Sequence, residues 1–356
     1  MRKSFQRVLL LCAEKYSLFH SFMELLDEMA QETKGFDIRH RLKATDLRIN
    51  SQMFRFPFRV RDSWEKHLLG KANEILLGEI RDYRPDLVLV YNSEFLLPET
   101  CKEIKKNARL IFFMGDSPFY TPLNNYYLAC LSHADLILSP DSFWNQQLNT
   151  MGLNRTLFFV PGIDPRSYFP LREPRELAGI EERDVLYVGT SYVNSWGYKK
   201  ALLMSQFTKF NFRLYGNSMW RRWFRFFPEL EEKFIESDFI PTAVLNKMFN
   251  QAKLIPVDGN PGILNGYHLR FFEALGAGGL PLVEYRKDVA GLVLKGCRAT
   301  LPLIKNYRQA GELANYFLKN ESERKELVRE LKKFILSRYN AKSNSEMILA
   351  SLKINF

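Results

Sequence analysis

No apolar run in the 356 residues approaches the roughly 18 to 20 that a membrane-spanning helix needs. The chain opens on basic residues followed by Val8-Leu-Leu-Leu-Cys-Ala13, but Glu14 and Lys15 end that run after six residues, too soon for a signal peptide. It reads as a buried first strand, and a cytoplasmic protein is expected. Cysteine is scarce: Cys12, Cys101, Cys130 and Cys297 lie far apart and form no Cys-x-x-Cys pair. That excludes a disulfide scaffold and leaves them as small core fillers. The five histidines (His20, His40, His67, His133, His268) lack metal-ligand spacing, so no zinc or magnesium site is expected. Paired glycines are also missing from the turn after the first strand, Glu14-Lys-Tyr-Ser17, and no phosphate contact is assigned there.

What is present is ordinary globular material. Hydrophobic residues at 46 % and charged residues at 26 % fit neither disorder nor a fibrous repeat, and the length suits two domains of about 150 residues. Lysine and arginine number 51 against 40 acidic residues, a net charge of +11. Residues 1–175 hold 24 basic and 21 acidic residues, and 176–356 hold 27 and 19. The excess therefore sits in the second half. It is compatible with a phosphate-bearing ligand, a nucleic acid or an anionic membrane, without choosing among them.

Short apolar runs at 8–13, 86–91, 109–114 and 135–139 have the length and composition of strands buried on both faces. Helical patterns at 19–30, 64–83, 98–106 and 143–151 separate them, which predicts a parallel sheet with crossover helices. Pro161, Pro165, Pro170 and Pro174 make 161–174 a connector. The rhythm then resumes, with strands predicted at 184–188, 212–215, 253–257 and 280–284 and a mostly helical tail from Ala310. The expected fold class is α/β, two doubly wound Rossmann-like domains with ligand sites beyond the carboxyl ends of their strands, facing a cleft. The boundaries drawn are 1–163 for the N-terminal domain, 164–180 for a linker, 181–335 for the C-terminal domain and 336–356 for a helical tail.

The most informative stretch is Asn265-Gly-Tyr-His-Leu-Arg-Phe-Phe-Glu-Ala-Leu-Gly-Ala-Gly-Gly279. Gly266 breaks the chain before a helix, whose free N–H groups and positive dipole end suit an anion. Arg270 and Glu273 are three apart and share a helix face, where a cation suits a phosphate and a carboxylate suits a pair of hydroxyls. An (i, i+3) surface ion pair is the plain alternative.

The segment resembles the donor-binding motif of GT-B glycosyltransferases, especially the CgeB-like spore-maturation group related to retaining glycosyltransferase family four. The likeness is carried by Arg270-Phe-Phe-Glu273-Ala274 and Gly276-Ala-Gly-Gly279. Family four has two glutamates at this spacing; the second corresponds to Glu273, and the first is replaced by Asn265. The resemblance implies that Glu273 holds the ribose hydroxyls of a nucleotide sugar while Gly266, Tyr267 and His268 face its diphosphate. Val185-Leu-Tyr-Val-Gly189-Thr190 resembles the strand and glycine turn that open the donor domain, with Thr190 where family four has an arginine. Lys199 stands near the position of a basic phosphate ligand, with Lys200 as its rival or both as a solvated helix face. Leu214-Tyr215-Gly216, followed by Trp220, and Phe239-Ile240-Pro241 resemble a strand end and a base-cupping loop. Similarity to the interdomain passage covers Ala134–Ser139, Met151-Gly152 and Val160–Pro170.

On the acceptor side, Asp116 in Phe113-Met-Gly-Asp-Ser-Pro118 follows a predicted strand. It either acts at the reacting groups, as a similar turn in CgeB-like relatives implies, or caps the next helix. Glu14 and His20 are further candidates at strand and helix ends. Two stretches, 53–61 and 220–227, interleave arginines with large rings and suit an anionic lipid surface, nucleic acid bases or partly buried packing.

The resemblance thus implies a metal-independent, retaining enzyme with no cofactor beyond its nucleotide-sugar co-substrate and with a glycan, lipid or protein acceptor. Arg270, Glu273 and Asp116 would act at the chemistry. DNA-base glucosylation, suggested by the +11 charge, and non-catalytic nucleotide-sugar binding, suggested by Asn265, are the alternatives.

Overall fold

The computed structural model describes residues 3–16, 18–119 and 125–353, so Ser17 of the first turn and the last three residues lie outside the described residues. The chain forms two compact units, one of residues 1–161 with 340–356 and one of 162–339.

The first unit carries a six-stranded parallel sheet. Its strands are β1 (Phe5–Leu11), β2 (Ala30–Phe36), β3 (Leu87–Tyr91), β4 (Arg109–Phe113), β5 (Leu136–Ser139) and β6 (Thr156–Phe158), in the order β2-β1-β3-β4-β5-β6. Every residue of β3 and β5 is buried, as an apolar strand covered on both faces requires. β2 was not expected. Its sequence Ala-Gln-Glu-Thr-Lys-Gly-Phe buries only its two ends, because an edge strand needs no continuous apolar run. The helix before it, Phe19–Met29, stops one residue earlier than expected and feeds straight into β2, burying Phe22, Leu25, Leu26 and Met29 as one face. The long helix Phe58–Tyr83 begins six residues before the predicted start, directly after Pro57, whose preset φ suits a helix entry.

The second unit holds a five-stranded parallel sheet of β7 (Arg183–Val188), β8 (Phe212–Gly216), β9 (Phe234–Glu236), β10 (Ala252–Val257) and β11 (Leu280–Val283), ordered β11-β10-β7-β8-β9. The three-residue edge strands β6 and β9 were also unforeseen, for the same reason as β2. The segment set apart as a tail over 336–356 is divided. The helix Glu321–Arg338 belongs to the second unit, whereas Ala341–Ser351 belongs to the first and packs on the Phe19–Met29 helix. A capping box between Asn340 and Ser343 starts this last helix. The buried Asn344 amide then donates to the Val160 carbonyl at 3.0 Å. Among the described residues no helix is long and apolar enough to cross a membrane.

Candidate functional site

In a parallel sheet every strand delivers its C-terminal residue to the same edge, so polar groups just past an apolar strand gather there. In the second unit β7, β8 and β10 end together around a pocket of about 270 Å³. Gly189, Thr190, Lys200, Gly216, Ile240, His268 and Arg270 are among its lining residues. All but Lys200 carry the donor-binding expectation, and Lys200 was weighed as the rival of Lys199.

Three polar side chains meet at the pocket floor. The Tyr187 hydroxyl, one residue before the end of β7, donates to Asp258 Oδ1 at 2.7 Å. Lys200 Nζ, from the helix Ser195–Ser205, lies 3.0 Å from Asp258 Oδ2 and donates to the Tyr187 hydroxyl at 3.0 Å. All three side chains are buried. Burial opposes the lysine's charge, but the Asp258 carboxylate and then Tyr187 outweigh it and hold the ammonium above its ordinary range. Burial likewise opposes the Asp258 carboxylate, and Lys200 with the Tyr187 hydrogen bond keeps it below the usual carboxylate range. The pair therefore stays ionised, held by the 3.0 Å charge contact at Oδ2 and the Tyr187 hydrogen bond at Oδ1.

Two glycines bring backbone to this floor. A Cβ on Gly189 would sit 2.6 Å from the Tyr187 hydroxyl, and one on Gly216 would sit 2.4 Å from the Gly189 carbonyl oxygen and from Trp220 Nε1. Trp220 Nε1 donates to that same carbonyl at 2.8 Å, and Asn217 Oδ1 accepts from the Ser191 N–H at 2.9 Å. The Gly-and-Trp signature read in the sequence is thus the pin of the turn after β7.

Arg270 and His268 form the wall. The helix Arg270–Ala277 begins at the arginine, and its N–H is capped by His268 Nδ1 at 3.1 Å. An imidazole that accepts at Nδ1 carries its proton on Nε2. Burial, then the Arg270 charge, pushes the His268 pKa down to about 4, in keeping with a neutral ring. The Arg270 guanidinium lies over the Phe249 ring at 5.4 Å, with Nε 3.4 Å from Glu273 Oε2. Its Nη1 is buried and has no hydrogen-bond partner among the described residues. Such a group carries a desolvation cost that an anionic ligand would remove.

Other expected residues stand elsewhere. Lys199 pairs with Glu284 at 2.6 Å and covers the Trp196 ring at 4.4 Å. Burial lowers its pKa against the pull of that carboxylate. Glu284 also accepts from Tyr307 at 2.5 Å and the Gly259 N–H at 3.1 Å, so Lys199 belongs to a brace beside the pocket. Glu273 turns toward Arg270 and Tyr168, whose hydroxyl pKa is raised by burial and then by this carboxylate. Tyr267 is buried with its ring edge-on to Phe272, and the Asn265 carbonyl accepts from the Asp288 N–H at 2.9 Å. Neither they, nor Gly266, nor Glu273 line the pocket. Tyr215 lines a neighbouring depression together with Ile240.

In the first unit, Asp116 follows β4 and accepts from Asn92 Nδ2 at 3.1 Å, and burial raises its pKa. Asn92, at φ +48°, also accepts from the Gly115 N–H at 2.8 Å, which fixes the turn carrying the aspartate. The capping alternative for Asp116 finds no helix in 117–119, which form a turn, and residues 120–124 lie outside the described residues. Glu14 and His20 are exposed.

Tyr187 and Asp258 were missed. The available signal was position: an aspartate directly after the apolar run 253–257 must emerge at the ligand edge of a parallel sheet.

The His268 cap has a pH consequence. With a folded pKa near 4 and an ordinary value of 6.5, the unfolded chain binds the extra proton first. Stability should therefore fall as pH drops from 6.5 toward 4. Urea unfolding of the His268→Gln variant should show a shallower fall across that window; an unchanged slope would exclude His268 as its source.

Residues 199–350 match a family described as glycosyl transferase-like. No curated protein matches the chain. Among solved structures, Anabaena HepE in complex with UDP and glucose superposes at TM-score 0.63 with 11 % identity, covering 98 % of this chain and 99 % of that one. A structure described as trehalose-6-phosphate from E. coli bound with UDP-2-fluoro glucose gives 0.64 and 13 %, covering 99 % and 100 %. Sucrose-phosphate synthase of Thermosynechococcus elongatus gives 0.67 and 10 %, covering 98 % of each chain. The chain has the α/β fold of GT-B glycosyltransferases, two parallel-sheet domains, and its residues 199–350 are similar to the glycosyl transferase-like family.

Proposed function

We propose that this protein is a glycosyltransferase that takes its sugar from a UDP-sugar, with the nucleotide diphosphate seated in the pocket of the second unit. The observation that carries the reading is Arg270 on the wall of that pocket, its guanidinium lacking a hydrogen-bond partner at Nη1 among the described residues. As the glycosidic C–O bond breaks, the electron pair stays with the diphosphate, and a fixed guanidinium in a dry site stabilises the growing charge. His268 Nε2–H is a second donor on the same wall. Lys200 is already neutralised by Asp258, so its part is to hold the floor rigid. Similarity to UDP-bound and UDP-sugar-bound structures supports the donor class.

Motif kinship adds three further parts to the proposal: placement in the CgeB-like group, retention of anomeric configuration and no required metal. A glycan, lipid or protein acceptor reached in the cytoplasm completes the reading, supported by four free cysteines. Calorimetric titration with UDP and UDP-glucose tests the core. Saturable binding that Arg270→Ala weakens is expected, and no heat with either ligand would overturn the donor assignment. Transfer run in EDTA, with the product anomer read by NMR, tests the rest; loss of activity or an inverted anomer would remove the corresponding part.

A further inference from the structure

The two arginine-aromatic stretches have different fates. In 220–227 four of the five rings turn inward, Trp220, Trp223, Phe224 and Phe227 being buried while Phe226 is exposed, and Arg221 pairs with Glu236 at 2.9 Å. This stretch is packing. In 53–61 the rings turn outward, with Phe54 at 68 %, Phe56 at 46 %, Phe58 at 69 % and Val60 at 46 % exposure, joined by Ile49 at 42 %. The short helix Ala44–Gln52 before it buries no residue at all. Five large apolar side chains between Ile49 and Val60 are thus left in water close together in sequence, and exposed apolar surface of this kind marks an interaction site.

Charge decides what covers it. Arg48, Arg55, Arg59 and Arg61 are exposed and form no ion pair among the described residues. Of the nearby acids, Asp46 pairs with Lys71 and Asp62 with Lys66 at 2.8 Å, while Glu65, one turn after Arg61, accepts from the Asn125 amide at 3.3 Å. The segment thus interleaves exposed apolar side chains with four arginines that form no ion pair among the described residues, against the single unpaired carboxylate of Glu65. A second copy of the chain would bring the same arginines face to face in a two-fold contact. Nucleic acid would use the phenylalanines for stacking but has no use for Ile49 and Val60. Aliphatic and aromatic groups side by side, rimmed by arginine, match the boundary between anionic headgroups and acyl chains.

We propose that residues 44–61 dock this protein on an anionic membrane surface, the phenylalanines entering the headgroup boundary and the arginines binding lipid phosphates. The proposal stands apart from the donor assignment, because the segment lies in the first unit and the nucleotide pocket in the second. Sedimentation of the full chain with phosphatidylcholine vesicles, with and without phosphatidylglycerol, tests it. Binding is expected only to the mixed vesicles. The Arg55→Ala and Arg59→Ala changes should each weaken it about fivefold, and Phe54→Ser with Phe58→Ser should reduce it to the neutral-vesicle level. These side chains are exposed, so circular dichroism and UDP titration of the variants should match the parent.

Three results would overturn the proposal. One is equal or absent binding to both kinds of vesicle. Another is vesicle binding that the variants leave intact. The third is that these variants abolish self-association or single-stranded nucleic acid binding while vesicle binding never occurs.

Discussion

Arg270→Ala should slow glycosyl transfer roughly tenfold to a hundredfold, the equivalent of the about 1.5–3 kcal/mol contributed by a hydrogen bond to a charged group. The loss should fall mainly on kcat, because the diphosphate carries more charge in the transition state than in the bound donor. Arg270→Lys keeps the positive charge but loses the planar fork, and its N–H groups cannot reproduce both the Glu273 contact and the free Nη1 direction. It should recover only part of the rate. A side chain that served merely as the surface partner of Glu273 would cost well under tenfold. Steady-state kinetics of the two variants on one donor and acceptor separate these cases, and a wild-type kcat in Arg270→Ala would end the electrostatic account.

A still larger effect on folding is expected at Lys200. Removing it as Lys200→Ala leaves the buried Asp258 carboxylate with Tyr187 as its remaining hydrogen-bond partner, and breaking a buried pair in this way costs about 3–5 kcal/mol. Urea denaturation should show it as a lower midpoint. The combined change Lys200→Met with Asp258→Asn removes both charges and should regain much of the loss, because the penalty comes from the orphaned carboxylate. If the double variant is no better than the single, the triad is not a charge-coupled unit. The pH dependence has a definite sign. Asp258 titrates below its ordinary value in the folded chain, so its share of stability is complete above that ordinary value and vanishes as pH falls through the folded one. Lys200 is raised, so its share is lost only as pH climbs through its elevated value.

The parts of this molecule that were legible in advance are those with a local physical signature. Fully buried strands such as β3 and β5 announce themselves by uninterrupted apolar residues. The helix at Arg270 is marked by Gly266 before it and by Gly278, at φ +101°, after it. Edge strands are illegible for the opposite reason: β2, β6 and β9 pair on one side only and can be polar. At the site, spacing alone left Lys199 and Lys200 as rivals because adjacent helix positions differ by about 100°. That rotation sends one to Glu284 and the other to Asp258. Tyr187 was invisible as a functional residue because its ring reads as strand core; only the hydroxyl reaches the pocket floor.

The return of residues 340–353 to the first unit bears on how the protein is made. The helix Ala341–Ser351 follows the second unit in sequence, yet it covers the Phe19–Met29 helix, which precedes that unit. On the ribosome, the first unit's sheet must wait with that apolar flank bare until the second unit has emerged. The later unit, continuous in sequence, can close before it. Expression of residues 1–161 alone should accordingly yield aggregating material, and supplying 340–353 through a short linker should rescue it.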